Sequence, residues 1–216
     1  MFPSPNCGPR RGGLRPDLVV IHYTGMATAA AARARLCDPA AEVSAHWLID
    51  EAGNAEPLVD EALRAWHAGA GEWLGRGDVN SRSIGIELAN PGDRPFPSAQ
   101  MAALERVLAG VMDRWGIAPA GVIAHSDMAP GRKVDPGARF DWRGLARAGL
   151  AVWPSGPGDP AVPLEASLTR IGYPAVDPAV RLAAFRLRFR PWACGPEDAA
   201  DRALAAGLAA QMRVDP

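Results

Sequence analysis

The chain has 216 residues, 48% of them apolar, with a formal net charge of −1. That length suits one domain with a small annex, or two small domains. The balance excludes a basic nucleic-acid binder and a charged disordered tail, and no apolar run nears the roughly 20 residues of a membrane span.

Residues 1–16 carry Arg10, Arg11 and Arg15 among prolines and glycines, without the apolar stretch of a secretory signal. Cys7, Cys37 and Cys194 are odd in number and far apart, so neither a disulfide framework nor a thiolate metal site is expected. Both features favour the cytoplasm, with the cell envelope as the alternative if a signal has been removed.

Residues 17–24, Asp-Leu-Val-Val-Ile-His-Tyr-Thr, read as a buried strand running into a turn at Gly25. Alanine-rich residues 27–36 favour a helix that stops near Asp38-Pro39. Residues 43–50 alternate as a strand, Gly53-Asn54 marks a turn, and residues 56–59 return as its hairpin partner. Residues 83–88 form another strand, ended at Asn90-Pro91-Gly92. The clearest helix follows: Ser98 is the expected N-cap, Met101, Leu104, Leu108, Val111 and Trp115 recur at helical spacing, and Gly116 ends it. A short strand at 121–124 delivers His125, and residues 141–150 read as a closing helix. Strands interspersed with helices predict an α/β layer architecture. A catalytic domain over 1–152, a Pro/Gly-rich linker over 153–163 and a helical annex over 164–216, periodic at 180–189 and 199–212, complete the division. An annex that small is marginal alone, so it is expected to pack on the main domain.

The single lysine of the chain, Lys133, lies between His125 and Asp135 on a Pro/Gly-rich loop. A compact ammonium in a chain that otherwise uses arginine suggests a site that needs a point charge, although coding bias is an equal reading. A hydrolytic zinc site needs three imidazole or carboxylate ligands and an open position. His22 and His125 at strand ends, with Asp135 on the following loop, would supply them; His22 taken alone reads more simply as a buried core histidine.

Five segments then occur in order: Ile21-His22-Tyr23-Thr24, the run from Ser44 to Ile49, Trp66-His67-Ala68-Gly69, the run from Asn80 to Glu87, and the run from His125 to Gly137. Together they resemble the zinc-dependent N-acetylmuramoyl-L-alanine amidases of the AmpD and AmiD kind, over about residues 17–150. The resemblance implies a mixed β-sheet flanked by helices, one zinc per chain on His22, His125 and Asp135, and catalytic roles for Glu87 and Lys133. It also implies a muropeptide or peptidoglycan substrate cut between the lactyl group of (1,6-anhydro-)N-acetylmuramic acid and L-alanine. The segments Ile171-Gly172-Tyr173, Ala184-Phe185-Arg186 and residues 188–191 resemble the small annex of AmiD-like members, a peptidoglycan-binding type of fold.

Several residues keep more than one reading. Glu87 also suits a structural ion pair. His46 and His67 line the cleft, orient the ligands, or pack in the core. Trp47, Trp66 and Trp73 stack on substrate or serve the core. Arg82 contacts a substrate carboxylate or is solvated, and Asp127 competes with Asp135 for the metal, with the family pattern favouring Asp135. A non-catalytic peptidoglycan recognition protein of the same fold is the alternative function, although that class usually lacks part of the set found here. A general zinc peptidase is disfavoured because no HExxH helix occurs. AmpD-like enzymes recycle muropeptides in the cytoplasm and AmiD-like ones act on the envelope; cytoplasmic recycling is the expectation here. No nucleic-acid partner is expected, and nothing in the sequence sets an oligomeric state.

Overall fold

The computed structural model describes residues 2–212. A short strand β1 (Cys7–Gly8) precedes β2 (Leu18–Tyr23), whose uninterrupted apolar run is what a parallel strand buried on both faces requires. Helix α1 (Ala29–Leu36) follows, capped by the Thr28 side chain. Strands β3 (Trp47–Ile49) and β4 (Ala55–Pro57) form the expected hairpin, and β5 (Arg64–Ala65) pairs with β1 apart from the main sheet. The alternation at 43–50 yields only three residues of strand. Just before β3, His46 turns its ring to accept from the Gly85 N–H, and the Ser44 hydroxyl donates to the Asn6 carbonyl.

One turn of helix, α2 (Val79–Arg82), leads into β6 (Ser83–Leu88). Helix α3 (Ser98–Trp115) begins at Ser98 itself, with Pro97 in the cap position and no side-chain cap, so the expected Ser98 cap is corrected. It ends at Gly116, whose φ of 69° suits glycine. Strand β7 (Val122–Ala124) runs directly into α4 (His125–Met128), and α5 (Trp142–Arg147) closes this part of the chain. The main sheet has the order β4-β3-β6-β2-β7, with β3/β6, β6/β2 and β2/β7 parallel and only β3/β4 antiparallel. This is the mixed sheet flanked by helices that the family resemblance implies.

Alternate residues of β2 enter two different cores. Val19 and Ile21 pack with Ile84, Ile86, Leu104, Leu108 and Val111, the face covered by α3. Leu18 and Val20 pack with Trp73, Met128, Leu168, Phe185 and Leu208. Leu168, Phe185 and Leu208 come from α6 (Leu164–Ile171), α7 (Pro178–Phe189) and α8 (Ala199–Gln211). The annex therefore covers the second face of the sheet and shares its core. That is how so small a helical segment is stabilised. The periodic stretches at 180–189 and 199–212 correspond to α7 and α8; α6 was not anticipated. The stretch expected to be a linker is anchored, with the Gly158 N–H donating to the Ala203 carbonyl at 2.7 Å. Among the described residues no helix is long and apolar enough to cross a membrane.

Candidate active site

Strand parity assembles the site. His22 continues the Leu18/Val20 side of β2, and in the parallel register it lies opposite Glu87 of β6. Both side chains thus emerge on one face near the ends of adjacent strands. His125, expected on a strand end, is the first residue of α4 immediately after β7. The loop behind it folds back through two backbone bonds: the Lys133 N–H donates to the Ala129 carbonyl at 3.1 Å, and the Ser126 N–H to the Asp135 carbonyl at 3.0 Å. The second bond delivers the Asp135 carboxylate beside His125.

Three ligand atoms converge. His22 Nδ1, His125 Nδ1 and Asp135 Oδ2 are each 2.9 Å from the other two, and all three residues are buried. Protons alone satisfy such a triangle poorly, since two imidazole nitrogens and a carboxylate oxygen offer three lone pairs to a shared centre. A cation satisfies all three at once, and two imidazoles with one carboxylate suit a borderline metal such as zinc. The far nitrogens are occupied as well: His125 Nε2 lies 2.9 Å from the Ala68 carbonyl and His22 Nε2 lies 3.0 Å from His67 Nδ1.

The electrostatics separate the carboxylates. Burial and the neighbouring His125 lower the His22 imidazole to about 4, which keeps it neutral. Burial alone would raise Asp135, but the adjoining His125 and His22 rings hold it below the usual carboxylate range. Glu87 moves the other way, pushed up to about 8 by burial and then by the charge of Asp135, against the opposing pull of Lys133. Its Oε2 is shut off from solvent and has no hydrogen-bond partner. A sealed, unpartnered carboxylate oxygen is costly to keep, and here it borders a cleft of about 410 Å³ that the three ligand residues and Lys133 also line.

The family profile for N-acetylmuramoyl-L-alanine amidases matches residues 12–138. The chain belongs to this family. It is 36% identical to N-acetylmuramoyl-L-alanine amidase AmiD of Escherichia coli K12 over 231 aligned positions, covering 90% of this chain and 82% of AmiD. It is 40% identical to the 1,6-anhydro-N-acetylmuramyl-L-alanine amidase AmpD of Haemophilus influenzae, over only 46% of this chain and 55% of AmpD. Among solved structures, E. coli AmiD in complex with the substrate anhydro-N-acetylmuramic acid-L-Ala-D-γ-Glu-L-Lys superposes with a TM-score of 0.83 and 33% identity, over 93% of this chain and 91% of AmiD. AmpDh3 of Pseudomonas aeruginosa gives 0.81 and 30%, over 93% and 94%. The AmiD and AmpDh3 matches extend through the annex.

Around this cleft the remaining candidates sort by location. Trp66 and His67 line the cleft. Arg82 does not: it is buried at 2% exposure, its Nε and Nη2 grip the two Asp17 oxygens at 2.8 and 2.7 Å, and its Nη1 donates to the Trp73 carbonyl. Both expectations for Arg82, substrate contact and solvation, are therefore corrected. His46 is likewise withdrawn from the substrate set, because its Nδ1 accepts from Gly85 and its Nε2 lies 3.1 Å from the Leu63 carbonyl, fully buried. Trp73 is core, and Trp47 donates to Glu61 away from the cleft.

Asp127 is no rival for the metal. Its carboxylate accepts from Tyr173 Oη at 2.7 Å, Arg188 Nη1 at 2.7 Å and the Ala124 N–H at 2.9 Å, with no exposure. Ser83, Asn80 and Arg132 went unassigned in the sequence reading. Ser83 touches His67, Asn80 accepts from the backbone of His67 and Ala68, and Arg132 lines the cleft. Ser83 and Asn80 lie inside a family-like segment, but nothing in their spacing reports a contact 12 or more residues away.

Proposed function

We propose that this amidase hydrolyses the amide between the lactyl carbonyl of N-acetylmuramic acid, including its 1,6-anhydro form, and the L-alanine of the stem peptide. His22, His125 and Asp135 would hold one zinc ion per chain. The observation that carries the reading is the mutual 2.9 Å triangle of Nδ1, Nδ1 and Oδ2 beside the unpartnered Glu87 oxygen in one cleft. Zinc bound there would polarise the scissile carbonyl and make water a stronger acid and nucleophile.

The protein's own groups handle the protons. Glu87 takes a proton from the attacking water and returns it to the amide nitrogen as the C–N bond breaks, so that a neutral amine leaves. Lys133, the lone ammonium on the cleft wall, stabilises negative charge as it develops on the carbonyl oxygen. A cation in the triangle favours the ionised form of Glu87, countering the burial that otherwise holds it protonated. Trp66 offers the cleft an aromatic face for sugar or peptide.

For location, the reading keeps the cytoplasm: Cys7, Cys37 and Cys194 are free, as suits a reducing compartment. Cell fractionation tests this point separately.

The activity test incubates the protein with anhydro-muropeptide, reduced muropeptide, intact sacculus and ordinary peptides, with and without chelator, and locates the new amine by mass spectrometry. Chelator-sensitive release of a stem peptide with a free L-Ala amine is the expected result. Equal cutting of ordinary peptides would mark a general zinc peptidase. Binding without cleavage would mark a recognition protein.

A further inference from the structure

The hydrogen bonds behind the ligand triangle support one assignment of protons. It begins at the Val79 carbonyl, which can only accept. Ser83 Oγ lies 2.5 Å from it, so the single hydroxyl proton of Ser83 is committed there. Ser83 Oγ then acts as acceptor toward His67 Nε2, 3.1 Å away, and His67 carries its proton on Nε2. With its proton on Nε2, His67 presents an Nδ1 lone pair, and the His22 ring faces it. His22 Nε2, 3.0 Å from that lone pair, must be the donor. The Nδ1 of His22 is left unprotonated, facing His125 and Asp135.

The second imidazole is fixed from the same place. His125 Nε2 donates to the carbonyl of Ala68, the residue after His67. One dipeptide thus supplies the acceptor for both ligand rings, and its two backbone N–H groups are held by a single atom, Asn80 Oδ1, at 3.0 and 2.8 Å. Gly85 belongs to the device. A Cβ there would sit 2.4 Å from the His67 ring, so the interior of β6 lacks a side chain where the imidazole must lie.

We propose that the His67-Ala68 dipeptide, pinned by Asn80 and backed by Ser83, is a positioning element that locks His22 and His125 as Nε2–H tautomers with both Nδ1 lone pairs aimed at the metal position. His67 in this role is a positioning residue acting through His22, and a ligand ring held in one tautomer binds metal without first rearranging its proton.

The test uses the full chain carrying His67→Phe, His67→Asn, Ser83→Ala or Gly85→Ala, with folding checked by circular dichroism. Zinc affinity is read by competition with a chromogenic chelator, and the His22 tautomer by 15N NMR of the metal-free protein. His67→Phe and Gly85→Ala are expected to weaken zinc binding by about 10–100-fold. His67→Asn keeps an acceptor oxygen near the Nδ1 position and is expected to recover most of that loss. Ser83→Ala frees the His67 proton, giving a mixture of His22 tautomers and a smaller loss. Wild-type affinity with an unchanged His22 tautomer in folded His67→Phe overturns the proposal. Should that variant not fold, the same result in Ser83→Ala overturns it. The inference rests on the ligand set proposed above, and the two fail differently: a wild type that binds no zinc removes the ligand set, whereas equal zinc binding by wild type and variants removes only the positioning role.

Discussion

Asp127 lies in the single turn of α4 and Asp135 on the loop that follows it, both buried and both close to His125, yet their surroundings are opposite. Asp127 accepts from a tyrosine hydroxyl, an arginine and a backbone amide, and Arg188 also stacks over Trp142 at 3.9 Å. Two of those three donors come from the annex. Asp135 faces the Nδ1 atoms of two imidazoles, and nearby Glu87 keeps an oxygen with no partner. A carboxylate with three donors holds one region together, and a carboxylate oxygen without any leaves the other ready for a cation and a proton. The difference separates a structural acid from a chemical one where sequence spacing alone leaves both as candidates.

The sharpest way to break that contrast is Glu87→Gln. The amide is nearly isosteric but cannot take a proton, so muropeptide turnover should fall by about 10²–10⁴-fold while zinc stays bound. Steady-state rates and metal analysis on one preparation check both halves. Full turnover would return Glu87 to the structural class.

Arg188→Ala attacks the satisfied side. It leaves Asp127 charged and buried without its cation, and losing one partner of a buried pair costs about 3–5 kcal/mol. The expected outcome is a large drop in denaturation midpoint. The turn carrying His125 should loosen with it, because Asp127 also caps the Ala124 amide beside that turn. A midpoint near wild type would show that the annex is only loosely tied to the catalytic core.

Glu87 also makes a pH prediction for the metal-free chain. Its folded value of about 8 lies above its ordinary 4.5. Between those values the folded state keeps a proton that the unfolded state has released, so this group makes stability fall as pH rises from 4.5 to 8 and levels off above. Glu87→Gln removes that dependence. Metal-free melts should therefore show the variant gaining on the wild type across this window, by a few kcal/mol at most. A constant difference across the window would mean that Glu87 is ionised in the empty site.

Much of this architecture was legible beforehand, for identifiable reasons. β2 opens with a continuous apolar run, β6 carries Ile84, Ile86 and Leu88 at alternate positions, and α3 has a strong helical stripe, so these patterns survive translation into structure. The set His22, Glu87, Lys133, His125 and Asp135 came from ordered segments resembling a family, which carries non-local information that spacing lacks. What escaped was contact across the fold. Helix α6 was missed because only Leu164, Leu168 and Ile171 mark its buried face between two breaker-rich stretches. His46 and Arg82 sit inside family-like segments and invite functional roles, but their partners Gly85 and Asp17 become visible only when strands pair. The role of Ser83 likewise depends on His67, 16 residues earlier in the chain.

The smallest predicted effect tests whether a buried, fully engaged cation can be separated from catalysis. Arg82→Lys keeps the charge but loses the planar fork that grips both Asp17 oxygens and reaches the Trp73 carbonyl. Asp17 is itself 41% exposed on its side chain, so water can replace part of what is lost. A cost of about 1–2 kcal/mol is expected, well below that of Arg188→Ala, where neither partner reaches solvent. Because Arg82 does not line the cleft, KM for muropeptide should not move. A raised KM with unchanged stability would reverse the assignment and restore Arg82 to the substrate side, so one variant read two ways decides to which region of the molecule this arginine belongs.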